Sequence, residues 1–508
     1  MGTSETTMPY SYHTFLLAFY CPNGVLNPRG NWKESNLTNQ GIASTGKEFL
    51  LDYATVQYFT PEARNLLFNK EKSFSYSFDA DDENSRYIIK RGEDEQYSLK
   101  VAKVYATMYG ENVGVLAIAL ENYEHYDSEF QEKMVVNRIN VYGRRINLPY
   151  LGSFPHSLVA DSISLFGVTE DFRNTADMIQ SGKISAVDGY VMKPIRRLVT
   201  ELMTAKAGEE LRISPVIDDR MFVCCLVRNQ PVIEALTANG ADDYDHIYTD
   251  EKLSKSLYAL GFIDADGVTC HNRTQREEIL RRCVYARWRD FSIDGAISGT
   301  VDVITHHSFV RITNGSAPDY VINPFLTQYV YMAIGTLMQR AAMLWLSNES
   351  TVLSELHLRT YKSGRITKEF ADDLRMLRKK FVYAQNNIFL HHLTAQEQGV
   401  EEFDILKNEL YVEATLEKLD KKIDAIYNFT EEYVEREENK LLNMIAYIGL
   451  PLALINLIVD MLGLVIFSDN NCLASFAVPG AFIACGLSCG IVIYSVVKLI
   501  QYKVSKKN

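Results

Sequence analysis

The 508-residue chain lacks the short motifs that carry common enzyme chemistry. It has no phosphate-cradling loop, no Gly-x-Gly-x-x-Gly after a strand, no Gly-x-Ser-x-Gly and no His-Glu-x-x-His. Enzymes built on those elements therefore have nothing here to stand on. A basic excess is missing too. With 52 Lys+Arg against 64 Asp+Glu the formal charge is −12, which argues against general nucleic-acid binding. The eight cysteines lack zinc-ligand spacing: Cys224 and Cys225 are adjacent, Cys270 and Cys283 stand alone, and Cys485 and Cys489 fall in an apolar run. Reduced core thiols of a cytoplasmic body are expected. Asp79, Asp81, Asp82 and Glu83 have no glycine in calcium-loop register and read as a solvated turn. No secretory leader is expected, because the best early apolar run, Phe15–Tyr20, is short, has no basic flank and suits a core strand.

What the chain does have is two long apolar runs near its end. Leu441–Phe467 and Phe476–Ile500 each exceed the roughly 20 residues that cross a bilayer as a helix. Only Ser468–Ser475 separates them, so a two-helix transmembrane hairpin is expected. Lys498, Lys503, Lys506 and Lys507 lie at the far end, whereas the short loop carries only Asp469. The positive-inside rule then places both termini, and the large body, in the cytoplasm of a multi-pass inner (plasma) membrane protein. Asn443, Asn456 and Asp460 interrupt the first run, and Asn456 and Asp460 are four apart on one helical face. They are candidate pore-lining groups; the alternative is that Asp460 reaches into headgroups. Two helices cannot enclose water, so a conduit requires a homo-oligomer. Pro451 predicts a kink, and Gly480, Gly486 and Gly490 predict close helix contact in the second span.

The rest reads as an α+β or α/β body followed by a helical stalk. Alternating apolar runs predict strands at His13–Phe19, Tyr97–Tyr105 and Asn112–Leu120, the last two joined at Tyr109-Gly110-Glu111, with a helix over Ser128–Val141. Phe222–Val227 reads as a buried strand, Thr249–Leu260 and Thr274–Arg282 as helices, and Val301–Ile312 as strand-like. Tyr329–Ser347 is apolar all round and should be a buried helix, followed by a helix over Glu369–His392. Neither Pro nor Gly interrupts Val400–Ile448, so a continuous stalk into the first span is expected. The expected division is an N-terminal α/β domain (1–165), a second α/β part (166–318), a helical bundle and stalk (319–440) and the membrane hairpin (441–508). The boundary near 165 leaves open one interleaved domain.

Pro451-Leu452-Ala453-Leu454-Ile455-Asn456-Leu457-Ile458 resembles the first-span Pro-Leu-Thr-Phe-Ile segment of the CorA magnesium-channel superfamily. Where that family continues Tyr-Gly-Met-Asn, this chain has Val459-Asp460-Met461-Leu462, keeping only the Met. Six further strings, in this order along the chain, resemble the CorA-like membrane effectors associated with type III CRISPR systems. They are His13–Phe19, Ile139–Ile146, Asp218–Val223, Ala286-Arg287-Trp288, His307-Ser308-Phe309-Val310 and Thr394–Glu401. That resemblance implies an accessory antiviral effector. Its cytoplasmic body would bind a nucleotide second messenger, an S-adenosylmethionine–AMP conjugate or a cyclic oligoadenylate, and a homo-oligomeric, possibly pentameric, pore would disrupt the membrane. The alternative is a divalent-cation (magnesium) transporter. The missing motifs lead to no enzyme being expected, with a membrane-tethered enzyme anchored by the hairpin as a further alternative. No resident metal or cofactor is expected.

Ligand candidates follow from side-chain chemistry. Arg144 and Arg145, after Gly143 in a polar turn, offer paired forks for a phosphodiester. Asp218, Asp219 and Arg220, ahead of an apolar strand, suit ribose hydroxyls or a cationic group, or form a structural ion pair instead. Arg287 and Trp288 could stack on a purine, with a plain core role for Trp288 as the alternative. His306 and His307 are adjacent in a strand-like run and should face opposite ways, against a shared metal.

Overall fold

A computed structural model describes residues 8–35, 53–69, 73–80, 85–124, 129–148, 159–183, 190–206, 208–217, 219–237, 245–264, 267–290, 292–293, 296–297, 299–315, 317–361 and 368–466, with positions 483, 486, 490 and 494. Short apolar runs, several of them buried on both faces, assemble into a 13-stranded sheet. Its main path uses β1 (Ser11–Tyr20), β2 (Arg86–Arg91), β3 (Glu95–Tyr109), β4 (Val113–Asn122), β5 (Ser162–Leu165), β6 (Val168–Asp171), β7 (Phe222–Arg228), β8 (Val284–Tyr285), β9 (Thr300–Ile304) and β10 (Ser308–Thr313). The order is β8-β9-β10-β7-β1-β4-β3-β2-β5-β6. Only β7 with β10 is parallel along that path. Because β1 lies between β7 and β4, strands from both sides of residue 165 share one sheet, as one interleaved domain requires.

Helices cover the sheet. Helix α1 (Glu129–Gly143) packs on β1 and β2, α2 (Glu251–Phe262) packs on β9 and β10, and α3 (Arg273–Cys283) packs on α2 and β9. Asp250 caps α2, its carboxylate accepting from the Leu253 amide at 2.7 Å. Two glycines permit close approach. A Cβ on Gly143 would lie 2.8 Å from the Phe15 ring, and one on Gly261 would lie 2.2 Å from Val303. Both positions place site residues, as shown below.

Several expectations need correction. Val301–Ile312 is not one strand but the β9–β10 hairpin, turning at Thr305–His307. The helix expected to reach His392 is α5 after α4: α4 spans Val330–Tyr361, and α5 ends at Asn387, its frame running Lys368–Asn387. The continuous stalk is broken once, between α6 (Glu397–Glu409) and α7 (Val412–Ile466). The break sits at Tyr411, whose φ of 54 is left-handed. Arg340 on α4 donates to the Leu410 carbonyl at 3.1 Å, and this tertiary contact holds the end of α6. Beyond it, α7 runs unbroken past Pro451.

The chain divides into two compact units, Met1–Val352 with Leu377–Lys421, and Leu353–Met376 with Lys422–Asn508. Among the described residues one helix is long and apolar enough to cross a membrane. It is the Val412–Asp460 part of α7, whose apolar window has mean hydropathy 2.0 and is 0% buried. Of the second expected span, Ile483, Gly486, Gly490 and Tyr494 are helical; its remainder, with the connecting loop, Gly480 and the basic tail, lies outside the described residues.

Candidate anion-binding site

Three chain segments meet where α1 ends. Gly143, free of a side chain, lets α1 run down onto Phe15, and the next two residues are Arg144 and Arg145. The Arg144 carbonyl accepts from the Met221 amide at 2.7 Å, and Arg145 bridges Arg220 as an isolated antiparallel pair. Two residues further along, the Val223 amide donates to the His307 carbonyl at 3.0 Å. The start of β7 thus holds both α1's terminal arginines and the β9–β10 turn, through amides two residues apart. That turn is fixed in its own right. Thr305 Oγ1 accepts from the His307 and Ser308 amides, and the Thr305 and Ser308 hydroxyls reach the Gly261 carbonyl.

Arg144 does lie in a turn after α1, with Arg145 in the bridge that follows, but the turn is buried and not solvated. The two arginines are 3% and 2% exposed. Asp219 is buried between Arg145 and Arg220, accepting from Arg145 on one oxygen and from Arg220 Nε at 2.6 Å on the other. This is the structural ion pair the sequence allowed, and it uses up the carboxylate. Arg144 is left over: its Nε and Nη1 are buried and have no hydrogen-bond partner. Burial first, then the charges of Arg220 and Arg145, push this guanidinium well below its usual range, opposed by Asp219 and Asp264. Guanidinium remains cationic in proteins, so among the described residues Arg144 is a buried cation with no hydrogen-bonded counter-ion. Asp218 lies outside the described residues.

His306 and His307 belong to this cluster, which sequence reasoning missed. A turn replaces the expected extended run, and their rings lie 3.6 Å apart instead of facing opposite ways. Burial and then the charge of Arg144 hold His307 down to about 2, and its Nδ1 is a buried atom without a partner. Burial and then Arg340 lower His306. No signal in the sequence announced the turn, since Thr305, His306 and His307 include neither Gly nor Pro.

The other candidates lie elsewhere. Arg287 is pinned by α6, donating to Glu397 at 2.7 Å and to Glu401 at 3.0 Å, with its guanidinium 5.7 Å from the Trp288 ring. Trp288 is 44% exposed and is not a core aromatic. Asn443, Asn456 and Asp460 are exposed on α7.

A second buried polar group, under β1, looks superficially catalytic. Cys225 Sγ is 3.7 Å from His13 Nδ1, which is itself 2.7 Å from Asn140 Oδ1. Burial pushes the thiol up to about 12 and the imidazole down to about 4. Both shifts oppose a thiolate–imidazolium pair, so the group is tuned against nucleophilic attack. Among the described residues no three His, Cys, Asp or Glu side chains gather as a metal site. No protein-family model matches the chain, and no curated protein matches it.

Proposed function

We propose that the protein is a ligand-gated membrane effector of the CorA-like kind associated with type III CRISPR defence. The body binds a nucleotide second messenger, an S-adenosylmethionine–AMP conjugate or a cyclic oligoadenylate, through the Arg144 cluster. A homo-oligomer of apolar α7 segments, with Asn456 and Asp460 towards water, then compromises the membrane. The observation that carries this reading is Arg144, a buried guanidinium with two nitrogens unpartnered. Burying such charge without a counter-ion costs several kcal/mol, a cost that an arriving phosphate removes. One element links the site to the membrane stretch. Arg340, whose charge acts on His306, also holds the Leu410 carbonyl, and α7 starts two residues later. A messenger shifts this system only if it favours one arrangement of that junction over another.

The test uses full-length protein in lipid nanodiscs and in dye-loaded liposomes. Wild type is expected to bind one of the two messengers and to release dye only in its presence. The double variant Arg144→Leu, Arg145→Leu should lose at least about tenfold in affinity, the scale of one charge-assisted phosphate contact. Wild-type affinity in that variant rejects the site. Ligand-independent leakage rejects gating, and magnesium uptake without messenger favours the cation-transporter alternative.

A further inference from the structure

We propose that His306 and His307 are the proton-accepting half of this site, which takes a dianionic phosphate-type group together with a proton. The inference rests on the reading that the Arg144 cluster receives the ligand's anion, and it names the charge state recognised there.

The charge count comes first. Arg144, Arg145 and Arg220 are three guanidiniums, and Asp219 is the one carboxylate that accepts from two of them. Among the described residues Arg340 adds a fourth guanidinium acting on the histidine pair and Asp264 a second carboxylate acting on Arg144, so two positive charges are left in excess. A single phosphodiester, with one negative charge, leaves half of that unmatched. A terminal phosphate, or two phosphodiesters held together, matches it.

The geometry comes second. Arg144 Nε and Nη1 and His307 Nδ1 are all buried atoms without partners. Their backbones are held to β7's first residues by the Met221–Arg144 and Val223–His307 bonds, made by amides two residues apart. Arg144 is the strongest charge acting on His307, followed by His306, Arg220 and Arg145. An oxyanion that satisfies the guanidinium therefore also stands where it acts on the imidazole.

The groups facing the histidine pair come from every element around it. Arg144 and Arg145 lie at the end of α1, Arg220 ahead of β7 and Arg340 on α4. Arg282, on the helix Arg273–Cys283, is held by Glu409 at 2.5 Å. Among the described residues the carboxylates acting on Arg144 are Asp219, already engaged, and Asp264, itself raised by burial. Without ligand, burial and this arginine field hold both imidazoles below their ordinary range. An anion cancels the arginine field, so an imidazolium becomes affordable and donates to the anion in turn. The sign follows: the bound state holds more protons than the free state, so affinity rises as pH falls.

Sulfate is the probe, because it stays a dianion throughout the useful range and cannot itself supply the pH dependence. Binding to full-length protein in nanodiscs is measured calorimetrically in two buffers of different ionisation enthalpy. Wild type should take up protons on binding, and affinity should rise at least about fivefold from about pH 7.5 to about pH 5.5. Methanesulfonate, the same head with one charge, should bind more weakly. His307→Gln should bind sulfate with little pH dependence, and the wild-type proton count serves if that variant does not fold. Sulfate binding that is lost in Arg144→Leu yet takes up no proton overturns the inference and leaves the anion site standing. Equal affinity for methanesulfonate overturns the dianion assignment. Unchanged sulfate binding in Arg144→Leu, or none in wild type, overturns the inference at its base; the messenger assay then decides the larger reading.

Discussion

At the residue scale, Arg144 and Arg145 are neighbours with opposite consequences. Arg145 shares Asp219 with Arg220, so truncating it leaves one oxygen of a buried carboxylate without its partner. Removing one member of a buried pair costs about 3–5 kcal/mol. Arg144 has two nitrogens with no partner to strand. Replacing it with leucine removes the desolvation cost and keeps most of the volume. Arg144→Leu is therefore expected to stabilise the unliganded body by about 1–3 kcal/mol while abolishing messenger binding. Thermal or denaturant unfolding, with and without messenger, checks this. A destabilised Arg144→Leu would mean that the side chain holds the fold and serves no ligand.

At the element scale, the α6–α7 junction turns on one backbone angle. Tyr411 is 61% exposed, so its side chain contributes little packing, yet its φ of 54 lies where L-residues pay about 1–2 kcal/mol. Glycine removes that strain at the expense of about 0.5–1 kcal/mol of unfolded-chain entropy, whereas a β-branched side chain is worse than tyrosine there. Stability should fall in the order Gly, Tyr, Val at position 411, with a Tyr-to-Val loss of about 1 kcal/mol. An order with Val above Gly would show that the junction is free to leave the left-handed state.

The same junction shows where the sequence stopped being informative. β1, β3, β4, β7, α1 and α2 were legible because periodicity and turn residues are local signals. That an Asp of the 218–219 pair could form a structural ion pair with an arginine was legible too, but not that Arg145 would be one of its partners. The Tyr411 break was not, because nothing around Leu410 disfavours helix; Arg340, distant in sequence, sets it. The β9–β10 turn was equally silent, being built from Thr305 and the Gly261 carbonyl. With that turn unseen, the histidines were placed on opposite faces and the cationic cluster was read two residues short.

At the scale of the whole molecule, the question is what covers α7. Leu441, Leu442, Ile445, Tyr447, Leu454, Leu457 and Val459 are all exposed, and they lie around the helix instead of along one stripe. A helix apolar all round is stable in lipid or buried among others, and is a liability in water. The acidic turns just before it, Glu431 to Glu438, mark where that character changes. Ending the chain after Glu438 keeps the Arg375–Glu431 pair at 2.9 Å and removes every one of those apolar positions. The shortened protein is expected to stay in the supernatant without detergent and to bind messenger with wild-type affinity. It should no longer arrest growth when the messenger is made in the same cell. Full-length protein should pellet with membranes and, once extracted, run as a homo-oligomer. Growth arrest by the shortened chain would place the toxic act in the body. A strictly monomeric full-length protein would leave Asn456 and Asp460 with no water-filled path to line, since one or two helices cannot enclose one.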